Sequence, residues 1–341
     1  MTKVFLSGAS GYIGGAVLHS LLEVHPSVKI AALVRDAAKG SIIKKAYPSV
    51  DIIDGDLDNT DVIEQQSQNA DVVFNLAATN HPASANAIQR GLSSPSRKNP
   101  GYWIQMSGAT MVAGEEIKAG RFGFASDKKY NDVDDLDAVK NIIRANPGRV
   151  VDNLILAQDP KTIRTALIAG PCIHGVGSGP VNKRSIQAPE IARNTLGRKK
   201  GFRLGKGENV WGFIHVEDLG ALFARLLGAA IQGSDDGDVW GGNGVYFPEN
   251  GSVVFKDLYS AIATEAQKQG FIDTDEIDEI TPEEANGLSP HAAAVWGTNA
   301  NLTSSRAQAR LDWKPAADRP KYLDDVPTIV RLEAESLGLK K

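Results

Sequence analysis

Three glycines, Gly8, Gly11 and Gly14, follow directly on the apolar run Lys3-Val4-Phe5-Leu6-Ser7. Their chemistry lies in what they lack. Without side chains, the backbone can turn tightly, approach a pyrophosphate closely and let helix pack against strand. The free N–H groups and positive dipole end of a helix starting here would hold phosphate oxygens. Ser10, Tyr12 and Ile13 fill the intervening positions, so Gly8-Ala9-Ser10-Gly11-Tyr12-Ile13-Gly14 reads as a dinucleotide cradle. Its context weighs more than the glycines do. A helix pattern from Gly15 to about Glu23 and a second apolar run from Lys29 to Val34 complete a strand–turn–helix–strand unit. A glycine turn without a ligand is the alternative reading.

Further strand patterns appear at Val50–Ile53, Asp71–Leu76, Tyr102–Met106 and Ile163–Ile168, alternating with helical stretches. That alternation predicts an α/β fold, a Rossmann-type doubly wound parallel sheet covered on both faces. Ligands in such sheets sit outside the carboxyl ends of the strands. Thr79, Ser107 and the 170–175 turn, with Pro171 and Ile173, are therefore expected at one cleft. Residues 108–148 break the rhythm, being rich in Gly, Lys and Asp, and read as a lid or a partly disordered loop. A helix over Val216–Ala230 places Leu219, Phe223, Leu226 and Leu227 on one face. We expect residues 1–180 plus about 209–232 to form the cofactor domain. Residues from about 181–208 and 233–341 would form a smaller C-terminal substrate lobe.

The chain of 341 residues is 42% hydrophobic and 23% charged, the profile of an ordinary globular protein. A net charge of −4 argues against a nucleic-acid partner. The densest basic cluster, Arg198-Lys199-Lys200 with Arg203, reads as a solvated loop, and the acidic run 273–284 as a solvated surface. One cysteine, Cys172, rules out an internal disulfide and fits a reducing compartment. The first strand begins by residue 3 and no apolar run reaches membrane-spanning length, so a cytoplasmic protein without a membrane partner is expected. Six histidines show no metal-ligand spacing, and no metal is expected. His81 and His174 border the expected cleft as structural hydrogen-bonding groups or as site residues. No Gly-x-Ser-x-Gly elbow is present, and Gly205-Lys206-Gly207 lacks the Ser or Thr of a P-loop.

With the strand ends placed, the chain resembles the extended short-chain dehydrogenase/reductase superfamily, which includes NAD-dependent epimerases and dehydratases, and it is most similar to fungal members. The Gly8-x-x-Gly11-x-x-Gly14 spacing carries the likeness. So do Trp211 to Leu219, and Ser304-Ser305-Arg306 through Leu311-Asp312-Trp313-Lys314-Pro315. The resemblance implies that Asp56 and Leu57 in Gly55-Asp56-Leu57 contact the adenine ring. It likewise places Ala77 and Ala78, in Asn75-Leu76-Ala77-Ala78, beside the cofactor.

The chain departs from that family at the proton donor, a Tyr with Lys four residues on. None of the tyrosines at 12, 47, 102, 130, 246, 259 and 322 has such a Lys. By its distance from Gly170-Pro171, Arg149 would stand at the Tyr position and Asn153 at the Lys position. Arg stays protonated and is a poor acid. Arg149 would anchor an anionic substrate, or pair with Asp152 or with the acids of 132–137. Ser107 would polarise a substrate carbonyl, and Lys129 with Tyr130, from Lys128-Lys129-Tyr130 on the expected lid, would supply a phenol beside a cation. A solvated loop is the plainer reading of those three residues.

In NAD-preferring members an Asp closes the second strand, which here ends Leu33-Val34-Arg35-Asp36. Arg35 suits the 2′-phosphate of NADP, and the neighbouring Asp36 leaves NAD open. The expected activity is an NADP(H)-dependent oxidoreductase acting on a carbonyl or conjugated alkene of a small organic molecule. The alternatives are a redox-neutral epimerase, isomerase or dehydratase, or a catalytically silent NADP sensor. Besides the small-molecule substrate, a homodimer partner is possible.

Overall fold

The computed structural model describes residues 1–339. Its strands in chain order are β1 (Lys3–Ser7), β2 (Lys29–Val34), β3 (Asp51–Asp54), β4 (Val72–Asn75), β5 (Gly101–Gly108), β6 (Tyr130–Asn131) and β7 (Ile163–Gly170). The later ones are β8 (Cys172–His174), β9 (Gly201–Leu204), β10 (Val210–His215), β11 (Val245–Tyr246), β12 (Ser252–Val254), β13 (Ile277–Ile280) and β14 (Leu302–Thr303). Seven of these make one parallel sheet in the order β11-β7-β5-β4-β1-β2-β3, the doubly wound arrangement expected. β4 and β7 are buried almost throughout, as strands covered on both faces must be.

The first nine helices are α1 (Tyr12–Val24), α2 (Ala37–Ala46), α3 (Thr60–Asn69), α4 (Pro82–Leu92), α5 (Gly114–Lys118), α6 (Leu136–Arg144), α7 (Val150–Leu156), α8 (Gln187–Arg198) and α9 (Val216–Ile231). Two apolar cores flank the sheet. One joins Val17, Leu18 and Leu21 of α1 to Leu219, Leu222 and Phe223 of α9. The other joins Ile63 of α3, Ile88 of α4 and Ile155 of α7 to Val73 and Trp103. α1 and α9 come close because Gly220 has no Cβ; one there would lie 2.5 Å from Ser20 Oγ.

Residues 108–148 depart from the expected lid. α6 is a helix with Leu136, Val139 and Ile143 buried along one face. The rest is fastened to the C-terminal part of the chain. Glu116, itself buried, accepts from the Asn299 backbone N–H at 2.7 Å and from its amide, while Gly123 N–H donates to Gly297 O. β6 pairs with β14.

Two further departures have simple causes. Val245–Tyr246 extends the central sheet beside β7, although it falls within the stretch expected to be substrate lobe. The basic cluster near Arg198 and the acidic run are not separate solvated segments. β13 runs parallel to β9, so Lys200 pairs with Glu276 and Asp278 at 3.2 and 2.8 Å, and Arg203 with Glu279 at 3.4 Å. No described helix is long and apolar enough to cross a membrane.

Candidate functional site

The cradle is built by exclusion. Gly8 adopts φ 89°, and a Cβ there would lie 2.7 Å from Ala77 N. A Cβ on Gly14 would lie 2.1 Å from Gly8 O, so only glycine lets α1 start this close to the end of β1. Gly11 N–H donates to Gly8 O at 2.9 Å and closes the turn. The N-cap Gly11 brings no side chain to the first turn of α1, and no acidic residue lies there. Those helix N–H groups are thus left for an anion. A groove of about 380 Å³ opens beside the turn, lined by Ser10, Gly11, Arg35, Asp56, Leu57 and Ala77, among others.

A polar ladder follows the strand register beneath this groove. Ser7, Asn75 and Gln105 are neighbours across β1, β4 and β5. Ser7 Oγ donates to Asn75 Oδ1 at 2.7 Å and Asn75 Nδ2 to Gln105 Oε1 at 2.8 Å. Gln105 Nε2 then reaches Ala78 O at 3.2 Å and Met106 O at 2.8 Å. Buried amides that satisfy one another this way fix the backbone of the 77–79 loop, where Thr79 is exposed.

At the end of β2 the two neighbours divide their work. Asp36 caps α2 by accepting from Lys39 N–H at 3.1 Å. Arg35 lines the groove, is exposed and has no hydrogen bond or ion pair among the described residues. The groove thus presents an uncommitted guanidinium, whereas its carboxylate neighbour is engaged.

Tyr12 serves the frame. Its buried hydroxyl lies 2.8 Å from His174 O and 2.7 Å from Gly175 O, sharing its one hydrogen between them. Burial pushes its phenol well up from the usual range. Ile13 and Ile173 pack against the small Tyr12–Ala16–Val216 cluster, and Pro171 is buried. The loop after β8 also meets α1 at Gly15, where a Cβ on Gly179 would lie 2.6 Å from Gly15 Cα.

The expected chemical residues do not all meet. Ser107, next to last in β5, has its hydroxyl buried and without a hydrogen-bond partner among the described residues. It lies near enough to Asp152 of α7 to favour that carboxylate, but burial dominates and raises the Asp152 pKa. Asp152 Oδ1 has no partner among the described residues, and Oδ2 lies 3.5 Å from Arg149 Nη1. Arg149 Nη2 donates to Thr110 Oγ1 at 2.6 Å. Asn153 turns inward, giving its amide to the carbonyls of Ile143, Asn146 and Arg149. It holds the turn that presents Arg149. Tyr130 sits on β6, its phenol pKa raised by burial, and Lys128 pairs with Glu115 at 2.7 Å. No hydrogen bond or ion pair among the described residues links Tyr130 or Lys129 to Ser107. Thr110 escaped notice in the sequence because only its contact with Arg149 marks it.

The two histidines have structural partners. His81 Nδ1 caps α4 by accepting from Ser84 N–H, and His174 Nδ1 meets Asp325.

Fold and cradle together define an NAD(P)-binding Rossmann protein, and a family model described as NAD(P)H-binding matches residues 8–116. The chain belongs to an NAD(P)-binding family with a Rossmann-type fold that it shares with a fungal oxidase. It is 36% identical over 346 residues to the oxidase ucsJ of Acremonium sp, with 99% of each chain covered. The fold is similar to that of Bacillus anthracis dTDP-glucose 4,6-dehydratase in complex with NAD. There the TM-score is 0.66 and the identity 15%, over 98% of this chain and 97% of that one. It is similar too to Thermotoga maritima UDP-glucose 4-epimerase with UDP-glucose, at TM-score 0.61 and 11% identity, over 98% and 100% of the two chains.

Proposed function

We propose that this protein is an NADP(H)-dependent oxidoreductase acting on a small organic molecule. The observation that carries the cofactor form is the pair at the end of β2, a free Arg35 in the groove beside an Asp36 spent on its own helix. A guanidinium binds a 2′-phosphate with parallel hydrogen bonds. Gly8, Ser10, Gly11 and Gly14 would take the pyrophosphate; Asp56, Leu57, Ala77, Ala78 and Thr79 would border the adenosine half and its linker. Pro171 and Ile173, with Tyr12 and Ile13 beneath, would wall the nicotinamide end. We assign residues 1–180 and about 209–232 to the cofactor domain, together with 245–246, and the remainder to a substrate lobe.

A bound nicotinamide supplies the hydride donor or acceptor. The chain's own residues hold the substrate oxygen. Thr110 and Arg149 offer hydrogen bonds, Asp152 steadies Arg149, and Ser107 lies behind them. Arg149 supplies charge and no proton, so the proton exchanged at that oxygen passes through water. The name of the Acremonium relative, an oxidase, supports redox chemistry over a redox-neutral reaction.

The test is to titrate NADPH and NADH by fluorescence, then follow NADP⁺ reduction and NADPH oxidation over a panel of alcohols, carbonyls and conjugated alkenes. Tighter binding of NADPH and substrate-linked turnover are expected. NADPH binding without any turnover would favour the second reading, a cofactor sensor, which the committed amide of Asn153 favours by leaving no replacement for the usual Lys.

A further inference from the structure

A guanidinium carries five N–H donors and no acceptor. In Arg149, one donor is given to Thr110 Oγ1 at 2.6 Å and another points to Asp152 Oδ2 at 3.5 Å. The others meet no partner among the described residues, although the side chain is only 17% exposed. None of its nitrogens is a fully buried atom lacking a partner among the described residues, so the unused donors open to solvent and to a ligand. Because Arg149 cannot accept, Thr110 must, and the Thr110 hydroxyl hydrogen is left for another oxygen.

The charge is only partly cancelled. Asp152 approaches through one oxygen at long range, and its burial favours the neutral carboxyl. The turn before Arg149 is tied to a loop that borders the groove. Asn80 Nδ2 donates to Gly148 O at 3.1 Å and ties the turn before Arg149 to the loop after β4. Residues of that loop, Ala77 and His81, line the cofactor groove. Thr110 lies just beyond the end of β5, the next strand in the sheet.

We propose that Arg149 and Thr110 form a carboxylate-recognition site, and that the substrate of this protein carries a carboxylate. This rests on the NADP(H) reading for its setting but not for its geometry. The two donors replace an acid–base pair with an anchor: they orient the substrate and stabilise negative charge without exchanging a proton.

The test titrates benzoate, and benzamide as its neutral counterpart, into the full-length protein with and without NADP⁺. It reads the melting temperature at constant ionic strength, and NADPH binding is measured separately by fluorescence. Benzoate is expected to raise the melting temperature saturably and benzamide to leave it unchanged. Arg149→Met should raise the half-saturating benzoate concentration at least about tenfold. Arg149→Lys, which keeps the charge and loses the fork, should give a smaller rise. Thr110→Val, should Arg149→Met fail to fold, should still weaken benzoate several-fold. Equal responses to benzoate and benzamide, including none to either, would overturn the proposal, as would an undiminished benzoate response in Arg149→Met and Thr110→Val. Loss of NADPH binding alone would instead overturn the cofactor reading.

Discussion

Gly15 and Gly179 meet backbone to backbone, with a Cβ on Gly179 reaching to 2.6 Å of Gly15 Cα. The loop that follows β8 is thereby pressed onto the first turn of the helix that would hold the phosphates. Gly179→Ala must push the two apart. We expect a stability loss of about 1–3 kcal/mol, the usual cost of overpacking, together with weaker NADPH binding. Chemical denaturation and NADPH fluorescence check both. Gly197→Ala in α8, with nothing within 4 Å of the new methyl, is the control and should be neutral or stabilising.

Arg35 and Asp36 should separate under mutation. Arg35→Ser removes the groove guanidinium proposed to meet a 2′-phosphate and is expected to raise the Kd of NADPH about 10- to 100-fold, in keeping with a lost charge-assisted pair. The Kd of NADH should not change. Asp36→Ala removes a helix cap, which costs about 1 kcal/mol of stability, and should leave the ratio of the two Kd values near that of the unmutated protein. A shift of that ratio with Asp36→Ala would mean that the carboxylate touches ribose.

The ladder beneath the groove makes Gln105 a strong point. Gln105→Leu leaves Asn75 Nδ2 and the carbonyl of Ala78 without their partner. Each buried orphan costs about 1–3 kcal/mol, so a loss of at least about 2 kcal/mol is expected in urea denaturation. Release of the 77–79 loop should also show as faster amide hydrogen exchange there, with slower changes elsewhere.

Asp152 gives a signed pH effect. Its pKa is raised in the folded state by burial, against the opposing pull of Arg149 and Ser107. The folded protein therefore binds a proton that the unfolded chain has released, over the range from the ordinary Asp value of 3.8 up to the folded value. Stability attributable to this group is present below that range and is lost as pH rises through it. Asp152→Asn cannot ionise, so its stability relative to the unmutated protein should improve with pH across the same window. A relative stability that falls with rising pH would show that the carboxylate is held by its cation more strongly than it is penalised by burial.

Much of this was legible in the residue order, for reasons that can be named. β1, β4 and β7 from Ala166 onward are mostly apolar because both faces of the sheet are covered, and the glycine turn stands out because the glycines admit close backbone approach. α6 was hidden because its apolar face is three residues, Leu136, Val139 and Ile143, among Asp and Lys. The pairing of Lys200 with Asp278, and of Glu116 with Asn299, joins residues far apart in the chain, which local patterns do not reveal. At the chemical end, the absent Tyr–Lys pair could be read from the sequence. The partner of Arg149 could not, since Thr110 becomes notable only through the direction of the Arg149 guanidinium. The capping role of Asp36 did have a signal, an Asp placed directly before Ala37-Ala38-Lys39 at the start of a helix.

The two-residue strand β11 has a consequence for how the chain is made. It covers the outer edge of β7 at Leu167 and Ile168, within an eight-residue strand whose burial is nearly complete. During synthesis β5, the other strand paired with β7, leaves the ribosome first, and residues 245–246 come only after α8 and α9. Until then the nascent chain carries an apolar ribbon with one row of backbone amides open to any passing strand. The late arrival of Val245 and Tyr246 thus sets how long this stretch of edge stays open in the growing polypeptide, well after its glycine cradle has been translated.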